Sequence, residues 1–373
     1  MPSINILIKP ASGMCDLNCD YCFYCDLMEK RKQGNYGFMT DDTLEQVISK
    51  TLAYADGECS IAFQGGEPTL IGLPFFRKVI DLQKRYNKKQ VIIHNSIQTN
   101  GNTITDEWCE FFVENKFLVG LSIDGVKHTH DAFRKTKSKE GSYQNVMTTV
   151  ALLKKYGVEY NVLTVVNRKT APAIKKIYQN YAKKEFHYQQ YIACLDPMYV
   201  ERGKQEYSLT PEMYGEFLKE LFDLWYLDYK LGKYPYIRQF ENYIGILLGC
   251  ESEACEQRGR CSIQNVVEAD GSVYPCDFYV MDQYKIGNLN KNTFHEIYHN
   301  QNAIHFIQER EQDNYKCEKC KYYRLCKGGC RRQKIQTSEL DGVENYFCKS
   351  YQMFFSHCLD RMQEIANEIQ SFK

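Results

Sequence analysis

The sequence predicts an α/β protein, a partial (β/α)6 TIM-like barrel followed by a cysteine-rich C-terminal domain. Three observations carry this expectation. From residue 4 to about 196, six short β-rich segments alternate with longer stretches whose apolar residues recur at three- and four-residue steps, the order that builds parallel βαβ units. Residues able to do chemistry follow the ends of these segments, where barrels place their active sites. After Cys250 the regular patterns fade and cysteines crowd the chain, as in a segment organised by inorganic clusters with little hydrophobic core. Six units fall short of the eight that close a full barrel, so an open side with room for a large substrate is expected.

The strands, in order, are INILIK from Ile4, CSIAFQ from Cys59, VIIHNSI from Val91, FLVGLSI from Phe117, EYNVLTVV from Glu159 and HYQQYIAC from His187. Between them DDTLEQVISKTLAYA, PFFRKVIDLQKRY and DEWCEFFVENK read as helices, and Asp41 and Asp106 suit capping or first-turn positions. Residues 210–231 read as an amphipathic bridging helix with Phe217, Leu221, Leu224 and Trp225 on related faces, and 351–369 as a terminal helix. The expected division is a barrel with its bridging helix over 1–235 and a cysteine-rich domain with the C-terminal helix over 236–373.

At 373 residues burial is not limiting, and the length suits one large domain with an appendage. The formal net charge is zero, with acids and bases interspersed, so nothing points to a nucleic-acid or anionic-membrane partner. The first apolar stretch, INILI, is too short for a signal-peptide core, and no run approaches a membrane span. A cytoplasmic, oxygen-sensitive protein is expected. Seventeen cysteines without an export signal favour metal or cluster ligation over a disulfide framework. The abundant Tyr and Phe fit an aromatic-rich core, with a peptide-binding cleft as the other reading.

Cys15-x3-Cys19-x2-Cys22 follows the first strand directly. Three thiolates around a four-iron cube leave one iron open for a small chelating molecule, and S-adenosylmethionine offers an adjacent amine and carboxylate. Cys25 is either a fourth ligand, which would exclude that molecule, or a small buried hydrophobe. CDLNCDYC, over 15–22, resembles the signature of the radical S-adenosylmethionine superfamily, whose cofactor chemistry is radical generation.

Gly65-Gly66-Glu67-Pro68 follows the second strand. Neither glycine has a β-carbon to keep a ligand away, and a carboxylate accepts from an ammonium; a tight strand-to-helix turn is the plainer reason for such a sequence. The resemblance implies that Gly65, Gly66 and Glu67 bind the amino group of the cofactor, that Ser122, Arg134 and Leu195 face its ribose, carboxylate and adenine, and that Tyr21 also contacts it. The HTHDAFRKTKSK stretch over 128–139, around Arg134, departs from the family's pattern.

Downstream the cysteines run Cys255-x5-Cys261-x14-Cys276 and Cys317-x2-Cys320-x5-Cys326-x3-Cys330-x17-Cys348, with Gly271 before Cys276. Zinc sites also use Cys-x2-Cys pairs, but zinc accepts no electron. The pattern resembles the SPASM extension of peptide-modifying radical enzymes. That resemblance implies two auxiliary [4Fe-4S] clusters, one on Cys255, Cys261, Cys276 and Cys330, the other on Cys317, Cys320, Cys326 and Cys348. Cys59, Cys109, Cys194, Cys250 and Cys358 lack ligand spacing and read as structural.

Asp277 follows Cys276 in GSVYPCDFY, where an Asp is ordinarily a turn former. This stretch, with IKPAS, CFY, QGGEPTL, QTNG, CLDP and CKGGCRR elsewhere, resembles the anaerobic sulfatase-maturating enzymes. The resemblance implies radical oxidation of a Cys or Ser in a C/S-x-P/A-x-R motif of an unfolded or nascent sulfatase to Cα-formylglycine. Asp277 would be the base, and a low-potential donor such as ferredoxin or flavodoxin would supply electrons. Tyr24, Gln64 and Gln98 are placed to line the substrate pocket. The alternative is a SPASM maturase forming thioether or carbon-carbon crosslinks in another ribosomally made peptide, and a non-catalytic electron-transfer or binding protein is a third class.

Overall fold

The computed structural model describes residues 3–309, 317, 319–338 and 342–371. They form two compact units built from interleaved stretches, the first from Met1–Ser122, Arg134–Asn161 and Ser262–Gln308, the second from Ile123–Phe133, Val162–Cys261 and Glu309–Lys373. The strands that position the site are β1 (Ile4–Ile8), β2 (Glu58–Phe63), β3 (Ile92–Thr99), β4 (Leu118–Ser122), β5 (Tyr160–Val166), β6 (Tyr188–Ala193), β7 (Tyr236–Ile237), β8 (Val266–Val267), β9 (Ser272–Tyr274) and β10 (Gly287–Asn288). The first six coincide with the six segments read from the sequence.

In the first unit β1, β2, β3 and β4 pair in parallel, with Ile6 opposite Ile61, Ile61 opposite Asn95 and Gln98 opposite Gly120. Successive side chains on a strand alternate faces. One face buries Ile4, Ile6 and Ile8 of β1, Cys59, Ile61 and Phe63 of β2 and Ile97 of β3. The other carries small or polar residues, among them Ser60 and Ala62 of β2, Gln64 directly after it, and Ser96 and Gln98 of β3. On the apolar side Phe63 and Phe117 meet Phe76 of the helix Leu73–Tyr86 and Trp108, Phe111 and Phe112 of the helix Asp106–Glu114 in a chain of ring contacts. Much of the aromatic content is therefore core here, each such pair adding about 0.5–1.5 kcal/mol beyond its area. The residues at the helix N-caps are Thr40, whose hydroxyl accepts from the Thr43 amide at 3.2 Å, and Thr105; Asp41 and Asp106 sit one residue on, in the first turn, where their charge still suits the helix dipole.

The segment after residue 262 returns to this unit. β8 joins β1 in parallel, Leu7 opposite Val266 and Ile8 opposite Val267, and β9 and β10 extend the sheet antiparallel. Gly271, at φ +81°, turns the β8–β9 hairpin. Val266, Val267, Val273, Tyr274, Leu289, Phe294 and Ile297 are all buried. This corrects the expectation of a segment with little hydrophobic core: its first half is buried in the core of the first unit, as where Phe294 meets Tyr54.

In the second unit β5 and β6 pair in parallel, and β7 adds to β6. The bridging helix is Pro211–Lys230, capped by Thr210, with Phe217, Leu221 and Trp225 buried and Leu224 half-buried. The terminal helix, Cys348–Ser371, begins a turn earlier than the sequence pattern suggested and packs along the bridging helix through Tyr214–Tyr351 and Phe222–Phe354 contacts. No helix among the described residues is long and apolar enough to cross a membrane.

Candidate active site

The three-cysteine loop lies beyond the C-terminal end of β1. Its backbone is pinned by Asn18, whose amide donates to the Lys135 carbonyl at 2.7 Å, and by a bridge between Leu17 and Thr136. The Cys22 amide donates back to the Cys19 carbonyl, and Cys22 caps the helix Phe23–Glu29. A hydrogen bond from the Cys25 side chain, together with the backbone amides of Cys25 and Tyr24 and the charge of Arg134, pulls the Cys22 thiol below its ordinary pKa despite burial. Burial pushes the Cys15 thiol up, a cost that a bound metal ion removes by taking the thiolate. None of Cys15, Cys19 and Cys22 is in a disulfide, and three thiolates are the donor set of an iron-sulfur cluster with one open iron.

Two asparagines from the loop after β3 brace this region. Asn100 Nδ2 donates to Asp16 Oδ1 at 2.7 Å and lies 3.6 Å from Cys15 Sγ; Asn102 Nδ2 donates to Asp16 Oδ2 at 2.9 Å. Glu67, 1% exposed, accepts from the Thr69 amide and hydroxyl, the Thr99 hydroxyl and the Asn100 amide, at 2.6–3.1 Å. Burial raises its pKa and these four donors oppose the rise. The space over the two glycines is taken by the chain itself. A β-carbon on Gly66 would lie 2.1 Å from the Met14 carbonyl oxygen, and one on Gly65 would lie 2.5 Å from Cε of Lys9.

A second constellation joins the β8–β9 hairpin to the barrel strands. The Tyr24 hydroxyl donates to Asp277 Oδ2 at 2.6 Å, and Gln64 Nε2 reaches Tyr24 Oη at 2.8 Å and Asp277 Oδ2 at 3.3 Å. Asp277 is 8% exposed, and its Oδ1 is buried without a hydrogen-bond partner. Burial raises the Asp277 pKa, against the charge of Lys9 and the bond from Tyr24; burial and the neighbouring carboxylate raise that of Tyr24. A buried carboxylate with one oxygen tied down and one open is shaped to accept a proton from a third group.

Gln98 donates to Ser122 Oγ at 3.1 Å, so these two predicted contacts share one face of the β3–β4 pair. The Arg134 guanidinium stacks over the Tyr21 ring, 5.6 Å from its centroid. Leu195 belongs to the second unit, in the loop after β6. There Cys255, Cys261 and Cys330 lie within electrostatic reach of one another, burial lifting Cys330 to about 12, while Cys317 and Cys326 act on Cys348. Cys320 is tied to Cys317 by a backbone hydrogen bond, and Cys276 belongs to the first unit.

Sequence reasoning missed Lys9, Arg31 and Glu268. Glu268 is fully buried, with Oε1 2.5 Å from Arg31 Nη1 and 3.1 Å from Lys9 Nζ. The one available signal was a lysine inside IKPAS, directly after a buried strand.

The sequence profile of the radical SAM superfamily matches residues 10–179, and that of SPASM, an iron-sulfur cluster-binding domain, matches 255–321. The chain is 45% identical over 370 residues to a cysteine-type anaerobic sulfatase-maturating enzyme of Clostridium perfringens, covering 99% of this chain and 100% of that one. It is 32% identical over 383 residues to a serine-type anaerobic sulfatase-maturating enzyme of Bacteroides thetaiotaomicron, covering 98% and 92%. The solved structure of native anSMEcpe with bound AdoMet and Cp18Cys peptide matches with a TM-score of 0.93 at 45% identity, covering 99% of this chain and all of that one. The fold class expected from the sequence, a partial (β/α)6 barrel with a SPASM extension, therefore holds.

Proposed function

Because this chain belongs to the anaerobic sulfatase-maturating enzymes of the radical S-adenosylmethionine superfamily, we infer that it oxidises a cysteine in a sulfatase C-x-P/A-x-R segment to Cα-formylglycine. When bound, S-adenosylmethionine and the iron-sulfur clusters supply the radical that takes a β-hydrogen atom and the acceptor that takes an electron. The thiol loses its proton, and the resulting thioaldehyde exchanges sulfur for a water oxygen, releasing hydrogen sulfide. The higher identity to a cysteine-type relative supports cysteine over serine.

The observation that carries the reading is the open Oδ1 of buried Asp277, held in the same unit as the three-cysteine loop. We assign Asp277 as the base that takes the thiol proton at Oδ1, with Tyr24 and Gln64 fixing Oδ2. Cys15, Cys19 and Cys22 hold the first cluster. Glu67, with Gly65 and Gly66 shaping its turn, would hold the cofactor's amino group, and the Asn100 amide fixes the carboxylate at Oε2. Tyr21, Ser122, Arg134 and Leu195 are assigned to the rest of that molecule, and Gln98 to the substrate side of β3. Cys255, Cys261, Cys276 and Cys330, and Cys317, Cys320, Cys326 and Cys348, are assigned to two auxiliary clusters. The radical SAM barrel with its bridging helix is assigned to 1–235 and the SPASM domain with the C-terminal helix to 236–373. Ferredoxin or flavodoxin is the electron donor, and the enzyme works in the cytoplasm on unfolded sulfatase.

The test is anaerobic incubation of reconstituted enzyme with S-adenosylmethionine, dithionite and a Cys-x-Pro-x-Arg peptide, read by mass spectrometry. Formylglycine in the peptide supports the reading. A crosslinked peptide, or no change in protein carrying its iron, refutes it.

A further inference from the structure

Lys9 is a charged residue that the proposed reaction leaves without a task. It is 1% exposed, at the end of β1, and its side chain crosses the place where Gly65 lacks a β-carbon. Its ammonium lies 3.1 Å from Glu268 and 4.6 Å from the centroid of the Tyr24 ring. Glu268 is in turn held by Arg31 and by the Ala269 amide. Burying a lysine is costly unless it is paired, and a cation over an aromatic face is stabilising when desolvated.

We propose that Lys9 is a positioning residue for the oxidation step. Its ammonium, fixed by Glu268, holds the Tyr24 ring so that the phenol ties down Asp277 Oδ2 and leaves Oδ1 facing the peptide. The chain of contact is Glu268 to Lys9, Lys9 to Tyr24, and Tyr24 to Asp277, each link within one compact unit. A lysine serving only the core would have no reason to sit against the tyrosine that binds this carboxylate. The inference rests on the assignment of Asp277 as the base, and its test separates the two.

The experiment uses the cluster-loaded enzyme at saturating peptide and measures formylglycine formed per 5'-deoxyadenosine released. Lys9→Met should retain its iron and its deoxyadenosine production, and its formylglycine yield per deoxyadenosine should fall on the order of 10-fold. Asp277→Asn should fall further, and the double variant no further than Asp277→Asn alone, because residues acting through one another are not additive. If Lys9→Met does not fold, Tyr24→Phe carries the test: it keeps the ring over Lys9, removes the hydroxyl, and should show the same lowered ratio. An unchanged ratio in Lys9→Met, or in Tyr24→Phe, overturns the proposal, as does a double variant that loses the product of the two single effects. An unchanged ratio in Asp277→Asn instead sinks the base assignment.

Discussion

Replacing Glu268 by Gln removes one charge and almost no volume from a fully buried group of three ions. In the native protein Oε1 meets Arg31 Nη1 and Lys9 Nζ, and Oε2 accepts from the Ala269 amide at 3.2 Å. Burial alone would raise the pKa of this carboxylate, but Lys9 and Arg31 outweigh it and bring the group from 4.5 down to about 2. A depressed carboxylate pKa contributes stability that is present above the unfolded value and is lost as pH falls towards the folded one. That difference corresponds to about 3 kcal/mol, in line with the ~3–5 kcal/mol typical of breaking a buried pair from one side. The variant leaves two buried cations facing an amide, so its thermal midpoint should drop on the order of 5–10 °C. Cluster-loaded protein would be melted anaerobically by tryptophan fluorescence at one scan rate. Because the contribution is complete above the unfolded pKa, the same deficit is expected at about pH 6 and about pH 8. A midpoint within about 1 °C of wild type, or a deficit confined to one of those pH values, refutes the reasoning.

Asp277→Asn should keep S-adenosylmethionine cleavage while lowering formylglycine formation by ~10²–10⁴-fold, seen by quantifying deoxyadenosine and peptide in one tube. Asn100→Leu removes the side-chain amide beside Cys15 Sγ. Hydrogen bonds to cluster sulfurs favour the reduced state, so the first cluster's potential should move to more negative values in an EPR-monitored redox titration. Gly66→Ala sets a β-carbon against the Met14 carbonyl at φ +53°. This displaces the cysteine loop, so iron analysis should find about one cluster fewer in the purified variant.

The barrel strands were legible because short β-rich segments alternate along the chain with helical stretches whose apolar residues recur at three- and four-residue steps. Ile4, Ile6 and Ile8 show the pattern plainly. The motif loops were legible because residue type and spacing report ligand chemistry, as at Cys15, Cys19 and Cys22. The return of the 262–308 segment to the first unit was not, since β8 contributes only two residues to a pairing with β1 that is remote in sequence. Of the two roles open to Asp41 and Asp106, both take the first-turn one, and the caps are the adjacent Thr40 and Thr105. Lys9 could not be read as buried from its neighbours, because a lysine's burial depends on a partner, and Glu268 arrives only with β8. Gly65 and Gly66 were read either as a tight turn or as leaving room for a ligand; the close approach that the lack of a β-carbon permits here is that of Lys9 and Met14, which residue type alone does not reveal.

In the proposed reaction, oxidation starts with transfer of a hydrogen atom from the β-carbon of a sulfatase cysteine. The most direct measurement uses a Cys-x-Pro-x-Arg peptide deuterated at the cysteine β-carbon, with mass spectrometry of the 5'-deoxyadenosine formed. Deuterium in the deoxyadenosine, in step with formylglycine in the peptide, is the expected result. Formylglycine accompanied by unlabelled deoxyadenosine would contradict it.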